Sequence, residues 1–148
     1  MAGYEEGWAM EAEIAYIRMQ AQFPEDTLLK QFYEETVRSI MIPALVSIRV
    51  NYYGDGIDKV RSYLSSFGMA EDAEILYLYA VTAPEYYLPY ATGYALLSGM
   101  VRRAEQDLEH LFSLSDFLAE YLSYGPGYSS ALSDRMDIWV DGQFYAGT

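Results

Sequence analysis

A chain of 148 residues, 52% of them hydrophobic, is long enough to bury one sizeable core, and with no cysteine it has neither disulfides nor thiolate metal sites. Its 22 acidic against 9 basic side chains give a formal charge of -13, which repels phosphate backbones and anionic lipid and argues against nucleic acid or a membrane as partner. No stretch approaches the ~20 uninterrupted apolar residues of a membrane span, and Met1-Ala2-Gly3-Tyr4-Glu5-Glu6 lacks a signal-peptide pattern, so one soluble, cytoplasmic domain over 1–148 is expected.

Apolar residues recur at helical spacing nearly throughout, and alternating strand runs bounded by hairpin turns are missing. The class is therefore all-α: an irregular bundle of about six or seven helices, two of them long and kinked by proline. The first helix is predicted over 5–22, with Trp8, Ala12, Ile14, Ala15 and Met19 available for a buried face, and Phe23-Pro24 ends it. The second starts at Glu25-Asp26-Thr27, runs to Tyr53 and kinks at Pro43. Gly54-Asp55-Gly56 is a turn. A short helix over 58–67 closes on Gly68 in the left-handed C-cap position, and another covers 71–82. Pro84 suits the first turn of a long fifth helix reaching Phe112, bent or loosened at Pro89 and Gly93. Ser113, three residues before Asp116, caps a sixth helix over 114–124, which Gly125-Pro126-Gly127 stops. A last helix covers 130–140, and Asp141-Gly142 leads into a loose tail over 142–148.

Catalytic chemistry has few residues to work with. The single histidine, His110, sits among Glu105, Asp107 and Glu109 as a surface cation near a helix end, and no second His or Cys stands at zinc-ligand spacing. Without Cys or a partner histidine, the usual nucleophile arrangements cannot be assembled from this chain. Glu6 and Glu13, seven apart and so near one helix face, with Glu11 beside them, are the carboxylates most worth weighing as an acid/base pair; solvated groups complementing a helix dipole are the plainer reading. The 16 tyrosines read either as a Tyr-rich core and rim or as an exposed recognition surface.

Four segments carry a resemblance that spans Gly3 to Val140. They are Gly3-Tyr4-Glu5-Glu6-Gly7-Trp8-Ala9, Val50-Asn51-Tyr52-Tyr53-Gly54, Tyr86-Tyr87-Leu88-Pro89-Tyr90 with Gly93-Tyr94, and Phe112-Ser113-Leu114 through Tyr124-Gly125-Pro126. Together they resemble the C-terminal half of the bacterial zinc-peptidase-like proteins classed as domain of unknown function family 885. The resemblance implies that a zinc-binding His-Glu segment lies upstream, outside this chain. It also implies that Glu6 holds the place of a third metal ligand and that Tyr90 faces the substrate cleft. Departures fall on polar cleft positions: Leu118 stands for an expected histidine, Leu96 for a glutamate, Val101 for an arginine, Ser47 for an aspartate, Asp55 for a tryptophan and Gly127-Tyr128 for Ala-Pro. That pattern reads as a decayed or redesigned site in an isolated half.

The function expected is that of a non-catalytic binding or scaffold protein, with no cofactor and no metal in the isolated chain, Glu6 being the vestigial candidate. A groove lined by Tyr87, Tyr90, Tyr94, Leu97, Met100 and Leu118 would hold a protein partner or a small apolar ligand, unless these residues are simply core. A homodimer through the old interface, and a zinc peptidase completed by its missing half, are the alternatives.

Overall fold

The computed structural model describes residues 2–19 and 25–146, and among these the chain is all helical with no strand. Its elements are α1 (Ala2–Met19), α2 (Glu25–Thr36), a π turn (Val37–Met41), α3 (Ile42–Asn51), α4 (Ile57–Ser65), α5 (Ala73–Thr82), α6 (Leu88–Leu108), α7 (Leu114–Ser123) and α8 (Ser129–Ala146). Because α2 runs through the π turn into α3, these make seven separate helical rods, matching the expected all-α bundle. Phe23-Pro24, the expected stop of the first helix, lies outside the described residues.

Proline chemistry explains one interruption and corrects another. Pro43 falls in the first turn of α3, and the Ile42 N–H reaches back to the Val37 carbonyl. That five-residue bond is the π spacing, which makes room where a proline ring would meet the preceding turn. The expected kink therefore takes the form of a π turn just ahead of the proline. Pro89, expected to bend the other long helix, instead stands in the first turn of α6, where its missing N–H has no intrahelical role. Pro84 lies outside that helix, in a turn closed by the Tyr86 N–H on the Ala83 carbonyl at 3.0 Å.

The C-terminal tail is corrected too. α8 does not stop at Val140 but continues through Gly142 to Ala146. One glycine costs a helix only about 1 kcal/mol, and buried Val140 anchors the turn before it.

The chain divides into two compact units, one made of Met1–Glu25 and Thr92–Thr148 and the other of Asp26–Ala91. In the second unit α3 and α5 run antiparallel. The Asn51 side-chain amide donates to the Ala80 carbonyl at 2.8 Å, and the Ser47 hydroxyl donates to that of Pro84. Ile42, Val46, Val60, Leu64 and Ala73 fill the core between them and α4. Asp55 is buried in the turn before α4, held by Arg49 at 2.7 Å and Lys59 at 3.2 Å. Gly68 ends the next turn at φ 68°, as its position after 58–67 predicts.

In the first unit, Leu97, Val101, Ala104 and Leu108 of α6 form one stripe that packs with Phe117, Leu118 and Tyr121 of α7 and with Met136 of α8. Ser113 accepts the Asp116 N–H at 3.3 Å and so caps α7, as expected. α1 meets α6 through glycine. A Cβ on Gly7 would stand 2.5 Å from the Gly93 carbonyl oxygen, and one on Gly93 would collide with the Gly3 carbonyl. The spacing Gly3-x-x-x-Gly7 places both glycines on one face of α1, so the two backbones touch where side chains would hold them apart.

Gly93→Ala is expected to lower the unfolding free energy by about 3 kcal/mol in urea titration, because the obstacle is backbone. Gly99→Ala, in the same helix but facing open space, should instead gain about 1 kcal/mol. Gly142→Ala should likewise raise stability and helical circular dichroism, an effect absent if 142–146 were a loose tail.

Candidate functional site

Close backbone approach at the α1–α6 crossing leaves unfilled volume beside it. A cavity of about 160 Å3 opens in the first unit, lined by Gly3 and Tyr4 of α1, Gly93, Leu96 and Met100 of α6, and Tyr121 of α7 among others. Glycine at the crossing provides no side chain to fill it. The rings of Tyr4 and Tyr121 stack as one wall, with centroids 4.8 Å apart and planes 17° from parallel. The Tyr4 hydroxyl donates to the Tyr121 carbonyl at 3.2 Å, which ties the start of α1 to the last turn of α7.

Burial keeps these phenols neutral to higher pH than a free tyrosine. Burial pushes the Tyr121 hydroxyl from 10.0 up to about 12, with the neighbouring Tyr4 adding to it, and burial raises Tyr4 as well. Neutral phenols offer hydrogen bonds and apolar ring faces, and neither group is poised for proton transfer near neutral pH.

The structure redistributes the residues expected to form a groove. Leu97, Met100 and Leu118 are buried in the core of the first unit, because the α6 stripe is covered by α7 and α8; only Met100 also borders the cavity. Tyr94 is half-buried in that unit. Tyr87 and Tyr90 belong to the second unit, where their rings cluster around Tyr86 at 4.9 and 6.1 Å. Glu6 is half-buried and Glu13 exposed, whereas Glu11 is the buried carboxylate and accepts a hydrogen bond from Ser98 of α6. His110 is exposed on the turn that follows α6. Among the described residues, no three His, Asp or Glu side chains converge as a metal site.

The positions that depart from the peptidase-like pattern also have structural places. Leu118 and Val101 are core, Leu96 borders the cavity, Ser47 braces α3 against the turn after α5, and Asp55 is the buried carboxylate between Arg49 and Lys59. A wider depression of about 430 Å3 lies beside the π turn of the second unit, but its walls Tyr33, Val37 and Phe67 are exposed, and it encloses less than the glycine-walled cavity does. Comparison of the chain with protein-family models, curated proteins and solved structures finds no match.

A folded pKa above the unfolded one means the unfolded chain releases the Tyr121 proton first. The stability tied to this phenol is fully present below pH 10.0 and is lost as pH rises toward about 12. A series of urea titrations across that window should show falling stability, and Tyr121→Phe should flatten the fall. An unchanged slope in the variant would place the titrating group elsewhere.

Proposed function

We propose that this chain is a non-catalytic helical binding protein whose half-open cavity in the first unit takes a small, single-ring apolar ligand. The observation that carries the reading is the cavity in the first unit, with its stacked Tyr4–Tyr121 wall and glycine floor. Its volume of about 160 Å3 is close to that of an engineered apolar cavity of about 150 Å3 that binds benzene. Ligand sites of this kind use apolar and aromatic walls with a few polar groups for orientation. Here Leu96, Met100 and the stacked phenol rings supply apolar surface.

Calorimetry or ligand-observed NMR with benzene, phenol and indole tests this directly, with a rise in melting temperature as the linked readout. Saturable binding of at least one ring compound is expected. Leu96→Trp should abolish it with little loss of stability, since Leu96 is 49% exposed and a larger side chain can lie across the opening. If no compound binds up to millimolar concentration, the cavity is a packing defect and the reading fails.

The zinc-peptidase resemblance supports a second reading, in which the chain is one half of a metallopeptidase. Its structural support is Glu6, half-buried on α1 and without a hydrogen bond or ion pair among the described residues. One carboxylate does not hold zinc alone. The isolated chain should therefore show no site-like zinc affinity by calorimetry on either reading, and zinc-dependent peptide hydrolysis on adding an N-terminal half that carries a His-Glu zinc segment would favour this second reading over the first.

A further inference from the structure

α5 is apolar on both sides. Ala73, Leu76 and Ala80 face the core of the second unit, yet Ile75, Leu78, Tyr79 and Val81 remain 50%, 55%, 42% and 53% exposed. Tyr86, also exposed, extends this outer patch, its ring stacked near Tyr79 with centroids 6.2 Å apart. A helix that is apolar all round is ordinarily covered all round.

The charge around the patch has one sign. Between Arg61 and Arg102 the sequence contains no Lys or Arg, while Glu71, Asp72, Glu74 and Glu85 are all exposed. Glu71 stands one helical turn before Ile75, and Glu74 one turn before Leu78, so carboxylates and apolar side chains alternate along the same outer face. Arg61 reaches this face from α4, but it is already shared between Glu74 at 3.3 Å and Asp58 at 3.5 Å.

These two features select the occupant. A second copy placed symmetrically would set acidic rim against acidic rim, between chains each carrying a formal charge of -13. A helix with one apolar face flanked by Lys and Arg satisfies both the apolar patch and its rim. We propose that the outer face of α5 docks a basic amphipathic helix of a partner protein, with apolar contacts on Ile75, Leu78, Tyr79 and Val81 and cations over Glu71, Asp72, Glu74 and Glu85.

The test is fluorescence anisotropy of the full chain with an amphipathic peptide of Leu and Lys, beside a scrambled peptide of equal composition. The amphipathic peptide should bind, weaken with added salt, and lose about tenfold or more in affinity to Leu78→Asp. That variant should keep its circular dichroism and melting temperature, because Leu78 is exposed. Equal binding of the scrambled peptide, or unaltered affinity in Leu78→Asp, would reduce the interaction to general charge attraction and overturn the proposal. Absence of binding, or concentration-dependent dimerisation in sedimentation that Leu78→Asp abolishes, would overturn it as well.

Discussion

The first unit depends on one contact, the backbone of α1 against the backbone of α6 at Gly3, Gly7 and Gly93. Two helices with ordinary side chains at their crossing stand about 8–10 Å apart. Here glycine removes the spacers, and the helix surfaces meet through Cα and carbonyl atoms, a geometry that favours weak Cα–H···O contacts. Tyr4 can then reach α7, stack on Tyr121 and donate to its carbonyl. The same approach fixes direction and register. Gly3 and Gly7 straddle Gly93 while Glu11 meets Ser98, so the helices pass in the same sense. A slip of one residue would break both the glycine fit and the hydrogen bond to a buried carboxylate, which is costly to leave unsatisfied.

The second unit is held by different means. Its helices α3 and α5 are joined by side chains that bond to backbone carbonyls: Asn51 to Ala80 and Ser47 to Pro84. The turn before α4 is organised by buried Asp55 between two cations. Removing either cation would leave that carboxylate underpaired in a buried place, so the Gly54-Asp55-Gly56 turn is specified by charge as well as by glycine. These braces act on the inner side of α3 and α5. They do nothing to cover the outer side, which is why α5 can be well anchored and still display Ile75, Leu78 and Val81.

Local rules in the sequence carried most of the secondary structure. Ser113 before Asp116 and Gly68 after a short apolar run each mark a helix end through a few neighbouring residues. Local pattern and structure part where packing outweighs a modest local cost, as at Gly142, or where proline position decides its effect, as at Pro84 and Pro89. Pattern also failed to separate interior from surface. Leu97, Met100 and Leu118 have the composition of a recognition groove but sit in the core, because a stripe at helical spacing looks the same whichever way it faces. Glu11 was unreadable for another reason: its partner Ser98 lies 87 residues away in the chain. The cavity did leave a trace, the Gly3-x-x-x-Gly7 spacing, but its other glycine, Gly93, is equally remote in sequence.

The chemistry of the cavity wall bears on binding against catalysis. A side chain that moves protons at neutral pH needs its pKa drawn toward that range. The environment of Tyr121 does the opposite, pushing it up to about 12 through burial and the adjacent Tyr4. Such a wall loses little by excluding water, since the neutral phenol is the form that burial favours. An anionic reactant would meet the reverse: desolvation beside a carboxylate-rich chain, with no cation in the lining to compensate. The proposed uncharged ring ligand is consistent with that wall, since it would bring no charge to desolvate there.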